Sequence, residues 1–218
     1  MSFPVYDYRT DVRNVLVTPQ IRSRFLRMEP GQVASLHSHD LGHEIFLILS
    51  GRALFEIDGE TEELGPGQMC VALGDQIHSV RVVGDEPMTM YLSVTPHIQP
   101  THTMRTVEGE RLPHRFMPSS AYDVETDPDT PIEALIDRHV DAAQAVAEAT
   151  RANASIQQEM AGWLKKALAE GDPDTVREAR NAMWEALYTT YKSVYALSAV
   201  WNELAPRVEE IKSMKRET

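Results

Sequence analysis

The feature that most constrains this chain is a change of hydrophobic period. Up to about residue 95, apolar residues come in short runs: Ile21–Met28, Ile45–Leu49, Ala53–Ile57, Met69–Leu73, Ser79–Val83 and Met88–Val94. Pro30-Gly31, Ser50-Gly51, Asp58-Gly59, Gly65-Pro66-Gly67, Gly74-Asp75 and Gly84-Asp85 separate them. Short strands with regular turn signals predict an antiparallel sandwich or barrel. Asp58-Gly59 tolerates the positive φ angles of a two-residue turn, so it predicts a hairpin between 53–57 and 60–64. From Pro131 onward apolar residues recur every three or four positions, as Ile132, Leu135, Ile136, Val140, Ala143 and Ala147. The predicted organisation is a barrel over 1–98, a Pro-rich connector over 99–130 and an α-helical hairpin over 131–218.

Helix signals refine the last third. Thr130-Pro131-Ile132-Glu133 combines a capping-box pattern with Pro at the first helical position. The apolar stripe runs to Leu168 and stops at Gly171, with a weak point at Asn153-Ala154-Ser155 where the helix is open to breaking in two. Asp172-Pro173-Asp174 starts a second helix with an N-cap, a Pro and an acid in the first turn. Pro206 is expected to end or kink it. This second helix carries two apolar stripes. One is Met183, Leu187, Thr190, Val194, Leu197 and Trp201; the other is Trp184, Tyr188, Tyr191 and Tyr195. A helix apolar over so much of its circumference must be covered on two sides. A homodimer in which two hairpins form a four-helix bundle is therefore expected. His139 falls on the apolar face of the first helix and is expected to pack there.

Composition narrows the function. Of 218 residues, 33 are acidic and 21 basic, giving a net charge of -12. Residues 1–120 carry 10 basic and 15 acidic side chains, and 121–218 carry 11 and 18, so neither part offers an electropositive face for nucleic acid. No apolar stretch is long enough for a membrane span, and the N-terminus has no signal-like apolar core. The lone Cys70, expected as a buried thiol, excludes an intrachain disulfide and fits a cytoplasmic location.

The chemistry lies in Gly31-Gln-Val-Ala-Ser-Leu-His37-Ser-His39-Asp-Leu-Gly-His43-Glu44, followed six residues later by Gly51. His37 and His39 are two apart on a strand, so both imidazoles face one way. A turn through Asp40–Gly42 brings Glu44 to the next strand, where its carboxylate joins them if the two strands pair. Two imidazoles and a carboxylate suit a divalent first-row metal, and His78, after the turn Gly74-Asp75-Gln76, is the candidate fourth ligand. His43 sits one position before Glu44 and should face the opposite way.

This segment resembles the first motif of the cupin superfamily. That motif is Gly, five residues, His-x-His, three or four residues, Glu, six residues, Gly, and Gly31, His37, His39, Glu44 and Gly51 match each specified position. The second motif is matched in part: Gly67 and His78 are in register, while Leu73, Asp75 and Val82 stand where Pro, Gly and Asn are usual. The resemblance covers roughly residues 15–95. It implies a mainly β fold, a double-stranded β-helix or jelly-roll barrel, here followed by the α-helical hairpin. It also implies His37, His39, Glu44 and His78 as ligands of one metal, drawn from Fe, Mn, Ni, Cu or Zn.

By strand alternation, Phe46 and Ile48 share a face with Glu44, and Val80 and Val82 share one with His78. These four are the expected apolar wall of a small-molecule pocket. His97, His102 and His114 lie in the connector, which is expected either as a strap over the barrel surface or as a cover for its mouth. The functional expectation is a mononuclear metal-dependent enzyme, of dioxygenase type, with Glu44 as the catalytic base. A metal-dependent isomerase or lyase and a non-catalytic ligand-binding module are the alternatives.

Overall fold

A computed structural model describes residues 3–214. Two five-stranded antiparallel sheets are followed by two long helices, as the change of period predicts. The first sheet orders β1 (Asn14–Val17), β2 (Arg22–Met28), β9 (Met88–Thr95), β4 (His43–Ser50) and β7 (Met69–Ala72). The second orders β10 (Thr103–Met104), β3 (Val33–Ser38), β8 (His78–Val82), β5 (Ala53–Ile57) and β6 (Glu60–Leu64). β3 and β4, consecutive in sequence, therefore lie in opposite sheets. The pairing of these strands, on which the joining of Glu44 to the histidines was conditional, does not occur: the turn between them crosses the sandwich, and Glu44 meets the histidines face to face across the barrel interior.

The interior follows from alternation. In β4, Glu44, Phe46 and Ile48 are buried while the residues between them are half-exposed. In β8, His78, Val80 and Val82 behave likewise. The strand registers stack the first sheet in rows: Arg22–Val94–Glu44, then Arg24–Leu92–Phe46, then Leu26–Met90–Ile48. In the second sheet His37–His78–Ile57 form one row, and Ala34–Val80–Phe55 the row below it. Phe46, Phe55, Ile48, Met88 and Met90 fill the core, each contributing about 1.5–3 kcal/mol through burial.

Turn chemistry is as the sequence predicts at the β5–β6 hairpin, where Asp58 and Gly59 both have positive φ and Ile57 pairs with Glu60. Gly42 is required by space rather than by φ. A Cβ there would lie 1.8 Å from the Thr95 carbonyl oxygen and 2.5 Å from Pro96 Cδ.

The chain divides into two compact units. One contains the residues up to Asp127 together with the part of the second helix from Ala205; the other is Pro128–Leu204. In the first unit the connector is ordered against the barrel. It supplies β10, paired to β3, and a 3-10 turn at Ser119–Tyr122.

The second unit is an antiparallel-connected hairpin of α1 (Ile132–Glu170) and α2 (Pro173–Met214), whose final turns enter the first unit. α1 is continuous through Asn153–Ser155, the point the sequence left open to a break. Gln157 Nε2 donates to Asn153 Oδ1 at 2.9 Å and to the Met183 carbonyl at 2.8 Å, which ties the weak segment to α2. The expected capping box is also corrected. Pro131 itself occupies the N-cap, extended and without a side-chain cap bond, and Glu133 alone supplies the acidic first turn. The α2 start is as expected: Asp172 Oδ1 accepts from the backbone of Asp174 and Thr175, with Pro173 at the first position. Pro206 lies inside α2 and does not end it. His139 is half-buried, its ring 5.4 Å from that of Trp201.

Candidate metal centre

His37, His39, Glu44 and His78 are all buried, and one potential ligand atom from each lies within 4.8 Å of the others. The sequence places them there through separate devices. His37 is the penultimate residue of β3 and is paired with His78, which opens β8. His39 follows β3 in the turn. Glu44 begins the inward face of β4 in the opposite sheet.

Their hydrogen bonds reveal the chemistry. His37 Nδ1 is 2.7 Å from the Ser35 carbonyl, His39 Nδ1 is 2.6 Å from that of Thr101, and His78 Nδ1 is 2.9 Å from that of Gln76. A carbonyl only accepts, so each Nδ1 carries a proton and donates it. In a neutral imidazole that leaves Nε2 as a lone pair. The Nε2 atoms of His39, His78 and His37 lie 2.9, 3.0 and 3.7 Å from Glu44 Oε2. Four acceptors thus face one another in a buried space, and only a cation among them, proton or metal, makes that arrangement favourable. Atom separations near 3 Å also match two ligands at right angles on a metal with ~2.1 Å bonds. The donor set therefore fits a divalent transition metal. Burial pushes the Glu44 carboxyl pKa up; a proton carried on the Nε2 atoms in place of a metal lets the imidazoles hydrogen-bond the carboxylate, which outweighs burial and holds the group well below its ordinary value.

Phe46, Ile48, Val80 and Val82 are all buried in the barrel core. Phe46 stands directly beside the ligands, with its ring 5.8 Å from that of His78 and 5.1 Å from that of Phe55. His43 is exposed and accepts the Gly74 N–H on Nδ1 at 2.9 Å, away from the quartet. Cys70 is half-buried, and burial pushes its thiol up to about 12.

The first part of the connector reaches the site. The His102 ring lies 4.9 Å from the ring of His37 and 4.8 Å from that of His39, and Thr101 supplies the carbonyl that orients His39. Asp40 fastens this segment. It accepts from Thr103 Oγ1 and pairs with Arg105 at 3.1 Å and Arg111 at 3.0 Å. Burial lowers the His102 pKa well below its ordinary value, with His37 and His39 adding to the effect. His97 is buried against Tyr122, and burial, with Arg22 and His39, lowers it to about 3. His114 is exposed and lines a surface cleft of about 210 Å³ shared with His39, Pro96 and Thr101.

Sequence reasoning missed the arginines. Arg22 is 3% exposed, and its Nη2 lies 3.9 Å from Glu44 Oε1. Its guanidinium sits 5.4 Å over the Tyr122 ring. The signal was available, because Arg22 and Arg24 alternate onto the same face as Leu26 and Met28.

Comparisons with known proteins agree with this reading. The family model described as a cupin domain matches residues 24–95, the stretch that holds His37, His39, Glu44 and His78. Polyketide synthase CurC of Streptomyces cyaneus is 32% identical over 105 residues, a match covering 46% of this chain and 68% of that protein. Among solved structures, a conserved protein with a double-stranded β-helix domain from Klebsiella pneumoniae shares 24% identity, covering 44% of this chain and 91% of that one at a TM-score of 0.41. KdgF from Halomonas sp. shares 23%, covering 40% and 78% at a TM-score of 0.37. With the barrel, the in-register ligand motif and a relative covered over two thirds of its length, the chain belongs to the cupin superfamily.

Proposed function

We propose that this protein is a cytoplasmic, mononuclear metal-dependent enzyme that oxidises a small organic substrate in a dioxygenase-type reaction. His37, His39, Glu44 and His78 would hold one divalent ion of Fe, Mn, Ni, Cu or Zn. The observation that carries this reading is the convergence of three Nε2 lone pairs on a carboxylate oxygen in a buried space. When bound, such an ion supplies Lewis-acid polarisation and, if redox-active, electron transfer to dioxygen.

The chain's own residues supply the rest. The three Nδ1–H bonds to carbonyls lock ring orientation, so the ligands need no rearrangement to bind. Glu44 would serve as the general base, taking a proton from an enolisable carbon or a hydroxyl of the substrate. Phe46 and Val80 form the apolar wall nearest the ligands, with Ile48 and Val82 behind them. Thr101 and His102 shield the quartet from water.

The test is elemental analysis of protein purified without added metal, followed by oxygen consumption with diols, flavonols and diketones. Absence of uptake with every bound metal would count against oxygenase chemistry. The likeness to polyketide synthase CurC favours a second reading, an isomerase or lyase acting on an enolisable poly-oxo substrate through the same base. Product formation without oxygen would select it.

The partner we propose is a second copy of this chain. Trp184 is 56% exposed and Tyr191 67%, and with Tyr188 they leave an aromatic stripe open on α2. Pairing of hairpins would cover it. Sedimentation as a monomer at micromolar concentration would refute this.

A further inference from the structure

Three of the inward positions of β2 next to the ligand row and below it read Arg22, Arg24 and Leu26, and Met28 completes the face in the core. Alternation makes these core-facing positions, where a charge is costly unless paired. Arg22 is poorly paired. Its Nε is buried without any hydrogen-bond partner, and the one ion pair it forms among the described residues is the 3.9 Å approach to Glu44 Oε1, beyond hydrogen-bonding distance. Glu44 Oε2 is already committed to the imidazoles. The Nε of Arg24, one row deeper, is likewise buried and unpartnered. Tyr122 holds the Arg22 guanidinium by its ring face and offers it no counter-charge.

Charge balance gives the consequence. Glu44 is the one carboxylate in the ligand quartet. A divalent ion would leave the quartet at +1, and Arg22 makes the buried total +2 before Arg24 is counted. The geometry points to an anion subsite beside the quartet, in which Arg22, backed by Arg24, receives an anionic oxygen of the substrate, carboxylate or enolate. This rests on the proposed metal-dependent function and names its substrate class: an organic anion, rather than a neutral diol or ketone. A planar guanidinium suits either oxygen anion, because two of its N–H groups can point to one acceptor group.

The test uses full-length protein, zinc-loaded and, separately, chelator-stripped. Benzoate probes the carboxylate arm, acetylacetonate the enolate arm, and benzamide is the uncharged isostere. Binding is read by calorimetry and by the shift in melting temperature. We expect at least one anion to bind and benzamide not to. Arg22→Gln should weaken that binding by about tenfold or more, and Arg22→Lys should recover it only in part. Without anion, Arg22→Gln should keep its zinc and melt no lower than wild type, because an unpaired buried charge does not hold the fold together. Arg27→Gln, on the exposed face of β2, should change nothing. The subsite is refuted by binding of neither anion, by equal binding of benzamide, or by anion affinity within about twofold of wild type in Arg22→Gln. It is also refuted if Arg22→Gln loses zinc and melts far lower, since Arg22 would then be a support for Glu44. Failure of wild type to take up any metal would refute the metal-dependent function instead, and the stripped-protein titration would still decide on Arg22.

Discussion

Acid should weaken this fold through a histidine that ligates nothing. His97 is 2% exposed, its ring lies 4.8 Å from that of Tyr122, and burial with the nearby Arg22 and His39 lowers it to about 3. In the unfolded chain the same imidazole takes a proton near pH 6.5. Between those values the unfolded state binds one proton more than the folded state, so stability falls as pH is lowered from ~6.5, at about 1.4 kcal/mol per pH unit. Above ~6.5 the effect vanishes. The expected loss from His97 alone between pH 7.5 and 5.5 is about 1.4 kcal/mol. His102, also lowered, adds to the same slope. The assay is urea unfolding of chelator-treated protein at both pH values, for wild type and His97→Gln. The variant keeps the backbone bond from His97 N–H to the Pro19 carbonyl but has no titrating ring. Contributions from all other groups cancel in the difference. His97→Gln should lose about 1.4 kcal/mol less than wild type. An equal loss in both proteins would show that His97 is protonated in the folded state and that the reasoning is wrong.

Three further outcomes test the site. His37→Ala or His78→Ala should strongly lower metal occupancy by elemental analysis, whereas His43→Ala should not, since His43 is exposed and bonded to Gly74. Metal affinity, measured by competition with a chelator, should weaken as pH falls through ~6.5, because ligating imidazoles must be neutral; a flat profile from pH 7.5 to 5 contradicts a histidine-dominated site. Gly42→Ala places a Cβ 1.8 Å from the Thr95 oxygen in the turn that joins His39 to Glu44. It should cost about 1–3 kcal/mol or more in denaturant unfolding and reduce metal uptake with it.

The candidate ligands were legible because much of their geometry is local. A period of two fixes which side chains share a face, so Glu44 with Phe46 and Ile48 follow from spacing alone; His37 and His39 meet by another route, since β3 shifts register before His37 and ends at Ser38, leaving His39 in the turn. The two-residue turn at Asp58-Gly59 is equally local. Sheet membership is not local. Nothing within the turn at 40–42 states whether the chain folds back beside β3 or crosses to the opposite sheet, and the crossing depends on β9 lying between β2 and β4. The placement of His102 was hidden for a similar reason. It depends on Asp40 meeting Arg105 and Arg111, partners 65 or more positions away that carry no periodic signal. The unbroken α1 has the same origin, since Gln157 anchors its weak segment to a carbonyl in the other helix.

The arginines are a different case, because their signal was on the page of the sequence and ran against the pattern used to read it. Alternation places Arg22 and Arg24 inside, and composition argues that arginines stay outside; the structure buries Arg22 and half-buries Arg24. Rows deeper in the same sheet obey both rules, with Leu26, Met90 and Ile48 packed together. The conflict is confined to the end of the barrel where Glu44 stands. A chain under no demand but folding would place an apolar residue opposite Val94 and gain from its burial. Retaining a cation there with an unpartnered Nε, next to four converging acceptors, sacrifices stability where a ligand could return it. Inward arginines at the Glu44 end of β2 are therefore the part of this sequence that points beyond the metal, to what binds beside it.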